Sequence, residues 1–223
     1  MQNLINGAEF RHSHLLHSYH LALQDYIDMP AGLDGAALNK GPWAPVYGGD
    51  RRIYDDGGTA KADLDGLITS YLGALEMRRK AHTVGAILAG KQPHAASIIA
   101  GGCSANLSLT SVNNMTTLVT EIRDFIQNTY IPDLSLIFDT YYPDYYAIGT
   151  GSGKLLSYGV FRQGTGSINN MLIKRGIYDG SSVINVMDHK KIVEDISAGW
   201  YTGSDGLHPL DGETNPDPTK VGR

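Results

Sequence analysis

The chain has few of the groups that bind metals through sulfur, attract nucleic acids or cross membranes. One cysteine in 223 residues excludes an internal disulfide framework and any Cys-x-x-Cys metal site. Asp and Glu outnumber Lys and Arg by 23 to 18, without a basic cluster, so we expect no nucleic-acid partner. No apolar run approaches the roughly 18 residues of a membrane-spanning helix, so we expect no transmembrane segment.

The remaining composition is that of a globular protein. Apolar residues make up 42% of the chain and charged residues 18%, and the length allows one sizeable core or two small ones. The N-terminus, MQNLINGAEFRH, lacks the basic start and apolar core of a signal peptide and is typical of a helix interior. The polar C-terminus stops without a closing element. Both ends therefore suggest a piece of a longer protein.

Long helices are predicted where apolar residues recur at three- and four-residue steps. The predicted ranges are about 4–28, 63–89 and 112–130. The apolar stripe predicted for the first helix comprises Leu4, Phe10, His14, Leu15, Tyr19, Leu21, Leu23 and Ile27. Pro30 ends that helix, and Ser111 is the predicted N-cap of the third. Pro132 then permits a short fourth helix from about Leu134.

Short β-rich segments separated by glycine turns follow Pro143 and predict a small sheet over about 154–197. The segment KKIVEDISAGWY is compatible with strand or helix. Helices followed by strands predict an α+β fold in which helices dominate. We expect a helical part over 1–142 and a part with the small sheet and C-terminal loops over 143–223. Together, residues 1–223 would form a single central portion of a larger subunit.

Four histidines crowd the first predicted helix: His12, His14, His17 and His20. His14 and His17, and likewise His17 and His20, have i,i+3 spacing and can share one side of a helix. Two such histidines can hold a metal only with a third ligand, and no Glu accompanies them in the HExxH manner. Hydrogen-bonded interior or interface histidines are therefore the favoured interpretation, with a metal site as the alternative.

The glycine-rich stretch GTGSGK at 149–154 resembles the sequence motif of a phosphate-binding loop but differs from it at two positions. Ile148 stands where the first glycine belongs, and Leu155 stands where Ser or Thr would hold magnesium. A flexible turn that leads into a strand is the favoured interpretation.

Two other features favour structural over catalytic roles. Cys103 has no base among its sequence neighbours, so we expect a small apolar packing residue there rather than a catalytic thiolate. Glu76 and Lys80 have i,i+4 spacing beside Arg78 and Arg79, which predicts a set of ion pairs on one helix face.

Seven blocks of the sequence, taken in order, form a recognisable pattern. Residues 3–28 carry two histidines separated by one residue, then His-x-Tyr-His-Leu and an Asp. Residues 75–104 carry a Gly-Lys-x-Pro-His block at 90–94. The later blocks are FIQNTYIPD, YPDYYAIGTGSGKLLSYGVF, LIKRGIY, IVEDISAGWY and LHPLDGET. These seven blocks resemble the large subunits of nickel–iron hydrogenases, and the resemblance extends from Asn3 to Asp217.

The resemblance implies a function whose metal ligands lie elsewhere. The family holds its nickel–iron centre through an N-terminal and a C-terminal Cys-x-x-Cys pair, and both pairs flank the region represented here. The chain is therefore expected to be the central fragment of an uptake hydrogenase large subunit, inactive alone and binding no cofactor alone. In the complete enzyme, H2 would be oxidised to protons and electrons, and the electrons would pass to an iron–sulfur small subunit.

The resemblance also implies particular positions for a few residues, none of them catalytic or metal-ligating. Ser13, His14 and His17 would lie at the wall of the metal cavity, and many members have Asp in place of Ser13. His94 would face the nearest iron–sulfur cluster of the small subunit. The implied partners are that subunit and the missing N- and C-terminal parts of the large subunit. The family suggests a membrane-associated periplasmic face or the cytoplasm.

Two other functions stay open at this point. The chain would be a non-catalytic scaffold if it belonged to a split or truncated subunit that acts only by association. It would be a metal-free relative if it came from the quinone-reducing part of respiratory complex I. The Gly-Lys-x-Pro-His block together with Tyr-Gly-Val-Phe favours a hydrogenase over that relative.

Overall fold

Long helices fill the first unit of the chain, Met1–Gly149, and short strands follow in the second, Thr150–Arg223. The computed structural model describes residues 1–27, 59–147, 151–164, 170–181, 183–184, 187–203 and 205–220. The helix-dominated α+β class predicted from the sequence is confirmed. Pro30 and Ile148 lie outside the described residues.

Helix α1 spans Gln2–Leu15 and continues through a π-helical segment, Leu16–Ala22, and a 3₁₀ turn, Leu23–Asp25. Its buried residues recur at three- and four-residue steps and at one seven-residue step: Ile5, Ala8, Leu15, Tyr19, Leu23 and Ile27. The predicted stripe was wrong at four exposed positions: Leu4, Phe10, His14 and Leu21. Phe10 and His14 lie on the opposite side of the helix, so apolar character alone did not fix the buried face.

Helix α2 spans Thr59–Ala89 and begins a turn earlier than predicted. It ends at Gly90, whose positive φ of 80° suits the residue after a helix, and whose N–H donates to the carbonyl of Ala86 at 2.8 Å. Gly73 lies where a Cβ atom would be 3.4 Å from the ring of Phe125. The small residue therefore lets α2 approach its neighbour closely.

Helix α3 spans Leu109–Phe125 and is capped by Ser108, whose Oγ accepts a hydrogen bond from the N–H of Ser111 at 3.1 Å. The predicted N-cap at Ser111 was wrong because that residue is the third of the helix. Its N–H is one of the first-turn donors that a cap satisfies. The capping serine was thus placed three residues too late.

Helix α4 spans Ile131–Ala147 and follows α3 through a π-helical segment, Ile126–Tyr130. The fourth helix was predicted to begin near Leu134, after Pro132, but it begins at Ile131, and Pro132 lies in its first turn. Wider π-helical turns are one of the ways in which a helix accommodates a locally disturbed hydrogen-bond ladder. The fourth helix is consequently longer than predicted.

Two buried clusters hold α1 and α2 against the later helices. The first comprises Leu15, Tyr19, Leu23, Ile27, Leu64, Leu67, Ala74, Ile137 and Tyr141. The second comprises Ile5, Ala8, Val84, Leu88, Ala89 and Met115. Each cluster includes residues of α1 and α2, so the two helices run side by side and share both ends of the core.

The strands are short and antiparallel. In the first unit, β1, Ile98–Ile99, pairs with β2, Gly102–Cys103, in a hairpin that the sequence did not predict. The second unit contains β3 Leu155–Ser157, β4 Val160–Arg162, β5 Met171–Ile173, β6 Gly176–Tyr178, β7 Val183–Ile184, β8 Tyr201–Gly203 and β9 Thr214–Pro216. Their order is β3-β6-β7, with β4-β5 and β8-β9 as separate pairs.

Turn and 3₁₀ segments connect the strands of the second unit. The glycine-rich turn at 151–153 leads into β3, as expected from the sequence. The segment that was compatible with strand or helix begins in a 3₁₀ turn, His189–Lys191, and ends in β8. Another 3₁₀ turn is Pro218–Lys220. Within the described residues, no helix is both long enough and apolar enough to cross a membrane.

We expect Leu67→Ala to lower the free energy of unfolding of the helical unit by about 2–5 kcal/mol, because Leu67 is 1% exposed in the first cluster. Urea denaturation followed by helical circular dichroism measures this change. Leu72→Ala, on the same helix at a position that is 51% exposed, is the control and should cost less than about 1 kcal/mol. Equal losses in the two variants would contradict this core.

Candidate functional site

The histidines of α1 divide between two sides of the helix. His12 and His20 are partly buried, whereas His14 and His17 are exposed. The sequence suggested that His17 and His20, at i,i+3 spacing, could share one side of the helix. In the structure they lie on different sides. The π-helical segment that contains both residues has wider turns than an α-helix, so the α-helical phase does not apply there.

On the inner side, Arg78 of α2 lies between two imidazoles of α1. Its guanidinium donates from Nη1 to Nδ1 of His20 at 3.3 Å and from Nη2 to Nε2 of His12 at 3.5 Å. The Nε2–H of His20 donates to the carbonyl of Tyr71 at 3.1 Å. His12 also packs on His82, with ring centroids 3.9 Å apart. The hydrogen-bonded interior arrangement favoured by the sequence is confirmed for His12 and His20.

This environment favours the neutral form of both imidazoles. Burial lowers the pKa of His12 below 6.5, and the nearby His82 and Arg78 lower it further, against a smaller opposing effect of Glu9. Burial also lowers the pKa of His20, partly offset by its hydrogen bond to Tyr71. Because His20 accepts at Nδ1 and donates at Nε2, its neutral tautomer satisfies both contacts.

A second polar contact joins three helices beside this cluster. The hydroxyl of Tyr19 on α1 donates to Oδ2 of Asp133 on α4 at 2.6 Å, and Ser70 on α2 also hydrogen-bonds Asp133. Burial raises the pKa of Asp133, while these two hydrogen bonds act in the opposite direction. Burial and the Asp133 carboxylate raise the pKa of Tyr19 above its ordinary value. The contact is a structural pair between the buried Tyr19 and the partly buried Asp133.

On the outer side, the three α1 residues that the resemblance placed near the metal cavity lie together. Ser13, His14 and His17 line an open depression of about 410 Å³, together with Leu16 and Leu21. His14 is oriented by a hydrogen bond from Nδ1 to the carbonyl of Phe10 at 2.8 Å. The structure thus places the three residues on one accessible surface, and their position at a cavity wall stays a prediction.

His94 is exposed in the turn that follows α2 and has a positive φ of 62°. The peptide bond between Gln92 and Pro93 is cis. Past His94 the chain is held to the end of α2, since the N–H of Ser97 donates to Ala89 at 3.0 Å and its Oγ donates to Leu88 at 3.0 Å. His94 therefore projects from a loop with a firmly attached end.

The cysteine lies beside that attachment. Cys103 packs against the second cluster and its thiol donates to Oγ of Ser97 at 3.3 Å, as suits a packing residue. Nothing among the described side chains forms a group of three His, Cys, Asp or Glu residues that could hold a metal ion. A centre that needs four thiolates does not fit the single thiol of this chain.

The predicted set of ion pairs on one face of α2 is present, but Arg78 does not belong to it. Arg79 donates to both carboxylate oxygens of Glu76, at 2.8 and 2.5 Å, and Lys80 lies 3.9 Å from Glu76. Lys80 also pairs with Glu121 of α3 at 3.0 Å. Arg78 is not part of this set, because it points to the histidines. The signal that sequence reasoning missed is the i,i+4 spacing of Arg78 and His82, which puts them on one helix face.

Comparison with known proteins identifies the family of this helical arrangement. The sequence profile of the family described as nickel-dependent hydrogenase matches residues 38–222. The chain belongs to the nickel-dependent hydrogenase family. The periplasmic NiFeSe hydrogenase large subunit of Desulfomicrobium baculatum is 32% identical over 99% of this chain and 42% of its own length. The uptake hydrogenase large subunit of Azotobacter chroococcum is 30% identical over 67% of this chain and 28% of its own length.

Solved hydrogenase structures share the fold. The crystal structure of a reduced, active form of the NiFeSe hydrogenase from D. baculatum matches with a TM-score of 0.85 and 30% identity. The match covers 99% of this chain and 44% of that chain. The NiFeSe hydrogenase of D. vulgaris Hildenborough in the as-isolated oxidised state matches with a TM-score of 0.83 and 27% identity, over 99% and 43% of the two chains. The present chain therefore spans less than half the length of these hydrogenases.

We expect Tyr19→Phe to lower the free energy of unfolding by about 1–3 kcal/mol, because it removes a donor from the partly buried carboxylate of Asp133. Tyr130→Phe is the matched control. Its hydroxyl pairs with the neutral Ser18 at 2.8 Å, so its loss should be smaller. Chemical denaturation at pH 7 compares the two variants, and a larger loss at Tyr130 would refute the importance of the Tyr19 contact.

The stability of the helical unit should fall as the pH drops below 6.5. His20 has a lowered pKa in the folded state, so the unfolded chain binds the proton more readily. Its contribution to stability is complete above 6.5 and is lost as the pH falls through the folded-state pKa. We expect His20→Gln to flatten this dependence in denaturation measured from pH 7.5 to 5.

The control for this measurement is His94→Gln, which removes an exposed histidine outside the cluster. Its pH profile should match that of the unmodified chain. If His20→Gln and the unmodified chain lose stability in parallel between pH 7 and 5, the neutral imidazole of His20 does not carry the effect.

Proposed function

We propose that this chain supplies the central helical portion of the large subunit of an uptake hydrogenase. The observation that carries the proposal is the match of nearly the whole chain, at a TM-score of 0.85, to less than half of a hydrogenase chain. In the complete enzyme, H2 is oxidised to protons and electrons, which pass to an iron–sulfur small subunit. The chain contributes scaffold and surfaces to that enzyme and is inactive alone.

The composition of the chain supports this division of roles. Its single thiol donates to a neighbouring serine and packs on an apolar cluster, so the thiolates of a nickel–iron centre come from other segments of the enzyme. The catalytic groups therefore lie outside these 223 residues. The cofactor is bound only once those segments are present.

Two surfaces suit this role. The depression lined by Ser13, His14 and His17 would form part of the wall around the metal cavity. The exposed His94 would face the small subunit near its iron–sulfur cluster. Large apolar side chains are also exposed on the helices, such as Leu21, which is 54% exposed at the rim of the depression. Apolar surface of this kind is what further segments of a larger subunit would cover.

A scaffold without catalytic output is the second candidate. It is favoured by the same exposed apolar side chains and by the lack of ligating thiols, because both features need only association with partner chains. It predicts assembly with the small subunit even when no nickel is bound. The metal-free complex I relative is the least supported, since the matching profile and relatives are those of hydrogenases.

We expect the purified chain alone to bind nickel well below one equivalent and to show no H2-dependent dye reduction. Co-production with segments carrying the two Cys-x-x-Cys pairs, together with the small subunit, should restore both properties if the chain is part of a hydrogenase. Elemental analysis for nickel and reduction of methyl viologen under H2 measure them.

Cys103→Ala is the control in the same system. Because its thiol is engaged with Ser97, the variant should retain the nickel content and activity of the restored complex. Stoichiometric nickel in the chain alone would overturn the proposal. Assembly with full complementation but no H2 oxidation would favour the scaffold.

A further inference from the structure

A small cleft opens between α1 and α2 around Arg78. It is lined by His12, Leu75, Arg78, Arg79 and His82 and has a volume of about 200 Å³. We call it the Arg78 cleft. Its size suits a single small functional group rather than an extended ligand. Its lining is cationic and imidazole-rich, with Leu75 as its one apolar side chain.

No carboxylate in the part of the chain that the structure describes neutralises the charge of Arg78 through an ion pair. Its two hydrogen bonds, to His12 and His20, are long and go to uncharged nitrogens. Its Nε is buried without a partner. A half-buried cation with these contacts is under-satisfied.

Two carboxylates near the cleft, Glu76 and Glu9, form no ion pair with Arg78. On α2, Glu76 is held by both donors of Arg79 and lies near Lys80. On α1, Glu9 acts on His12 and only weakly opposes the lowering of its pKa. The remaining titratable groups that face the cleft are the imidazoles of His12, His20 and His82. The positive charge thus has no ion-pair partner among the residues that the structure describes.

We propose that the Arg78 cleft binds a carboxylate. Guanidinium groups pair with carboxylates through two parallel hydrogen bonds, and such charge-assisted pairs are the strongest that Arg makes. His12 would then be freed from its role as an acceptor and could take a proton beside the bound anion. Binding of a metal cation is disfavoured because the cation would lie next to the positively charged guanidinium. The proposal does not rest on hydrogen oxidation and needs no nickel.

The carboxylate has two possible sources, a small free acid or an Asp or Glu side chain of another polypeptide segment. The test is NMR on the full chain, with ¹⁵N-labelled arginine and histidine side chains, at constant ionic strength. Sodium acetate is titrated against sodium chloride as the reference salt. We expect acetate, and not chloride, to shift the Arg78 and His12 side-chain signals in a saturable manner.

Variants assign the response to the cleft. Arg78→Gln should weaken the acetate response at least about tenfold, as expected for the loss of a charge-assisted pair. Arg123→Gln is the matched control, since Arg123 is exposed on α3 and paired with Asp124 at 2.7 Å; its response should stay within about twofold of the unmodified chain. If Arg78→Gln does not fold, Arg78→Lys provides the test. It retains the charge but not the forked geometry, and should still weaken acetate binding several-fold.

Peptides distinguish the two sources. The peptide acetyl-Gly-Glu-Gly-amide is compared with acetate and with the same peptide carrying Gln in place of Glu. If the Glu peptide binds more tightly than acetate and the Gln peptide does not bind, the ligand is a protein side chain. Tighter binding of acetate identifies a small acid. Equal shifts with chloride and acetate, or an unchanged acetate response in the folded Arg78 variant, would overturn the proposal. None of these readouts depends on hydrogenase activity. A failure of carboxylate binding in the Arg78 cleft can therefore be distinguished from a failure of the proposed function.

Discussion

The hydrogen bond between Tyr19 and Asp133 is the contact on which the arrangement of the histidines depends. It is 2.6 Å long and joins α1 to α4 in a partly buried setting where Ser70 of α2 also takes part. A partly buried carboxyl group that lost its donors would be destabilising, and the buried Tyr19 supplies one of them. With Tyr19 fixed in the π-helical segment, His20 turns towards α2 and His17 faces outward. The inward and outward sets of histidines around this segment are thus separated next to this contact.

The elements that were predictable are those set by local periodicity. α2 and α3 have strong apolar stripes, and both were found close to their observed positions because each buries one continuous face. Local exceptions escaped prediction. The cap of α3 lies at Ser108 because the first helical turn starts earlier than the apolar stripe suggests. Two π-helical segments, one after α1 and one before α4, are not visible in the sequence pattern. The segment after α1 changes which residues share a helix face.

The family resemblance named three candidate residues that the structure finds together, while their place at a metal cavity stays a prediction. Ser13, His14 and His17 line one open depression. Arg78 was missed because its neighbours Glu76 and Lys80 made a surface ion-pair set look complete. In the structure, the adjacent Arg79 takes that role, and Arg78, one residue earlier, faces the opposite helix. Adjacent arginines on a helix point in directions about 100° apart, so their roles separate only when the partner helix is known.

The two inward histidines, His12 and His20, are explained better by the half-buried cation of Arg78 than by a metal. A metal would need the lone pairs of the inward imidazoles, yet the lone pair on Nδ1 of His20 and that on Nε2 of His12 already face Arg78. It would also add positive charge beside the guanidinium, at a cost that grows as the surroundings become less polar. Neutral imidazoles are acceptors that can approach a guanidinium without bringing a full negative charge into the core. The neutral imidazoles do not reduce the net charge of Arg78. That charge has no ion-pair partner among the described residues, and it would attract an incoming carboxylate.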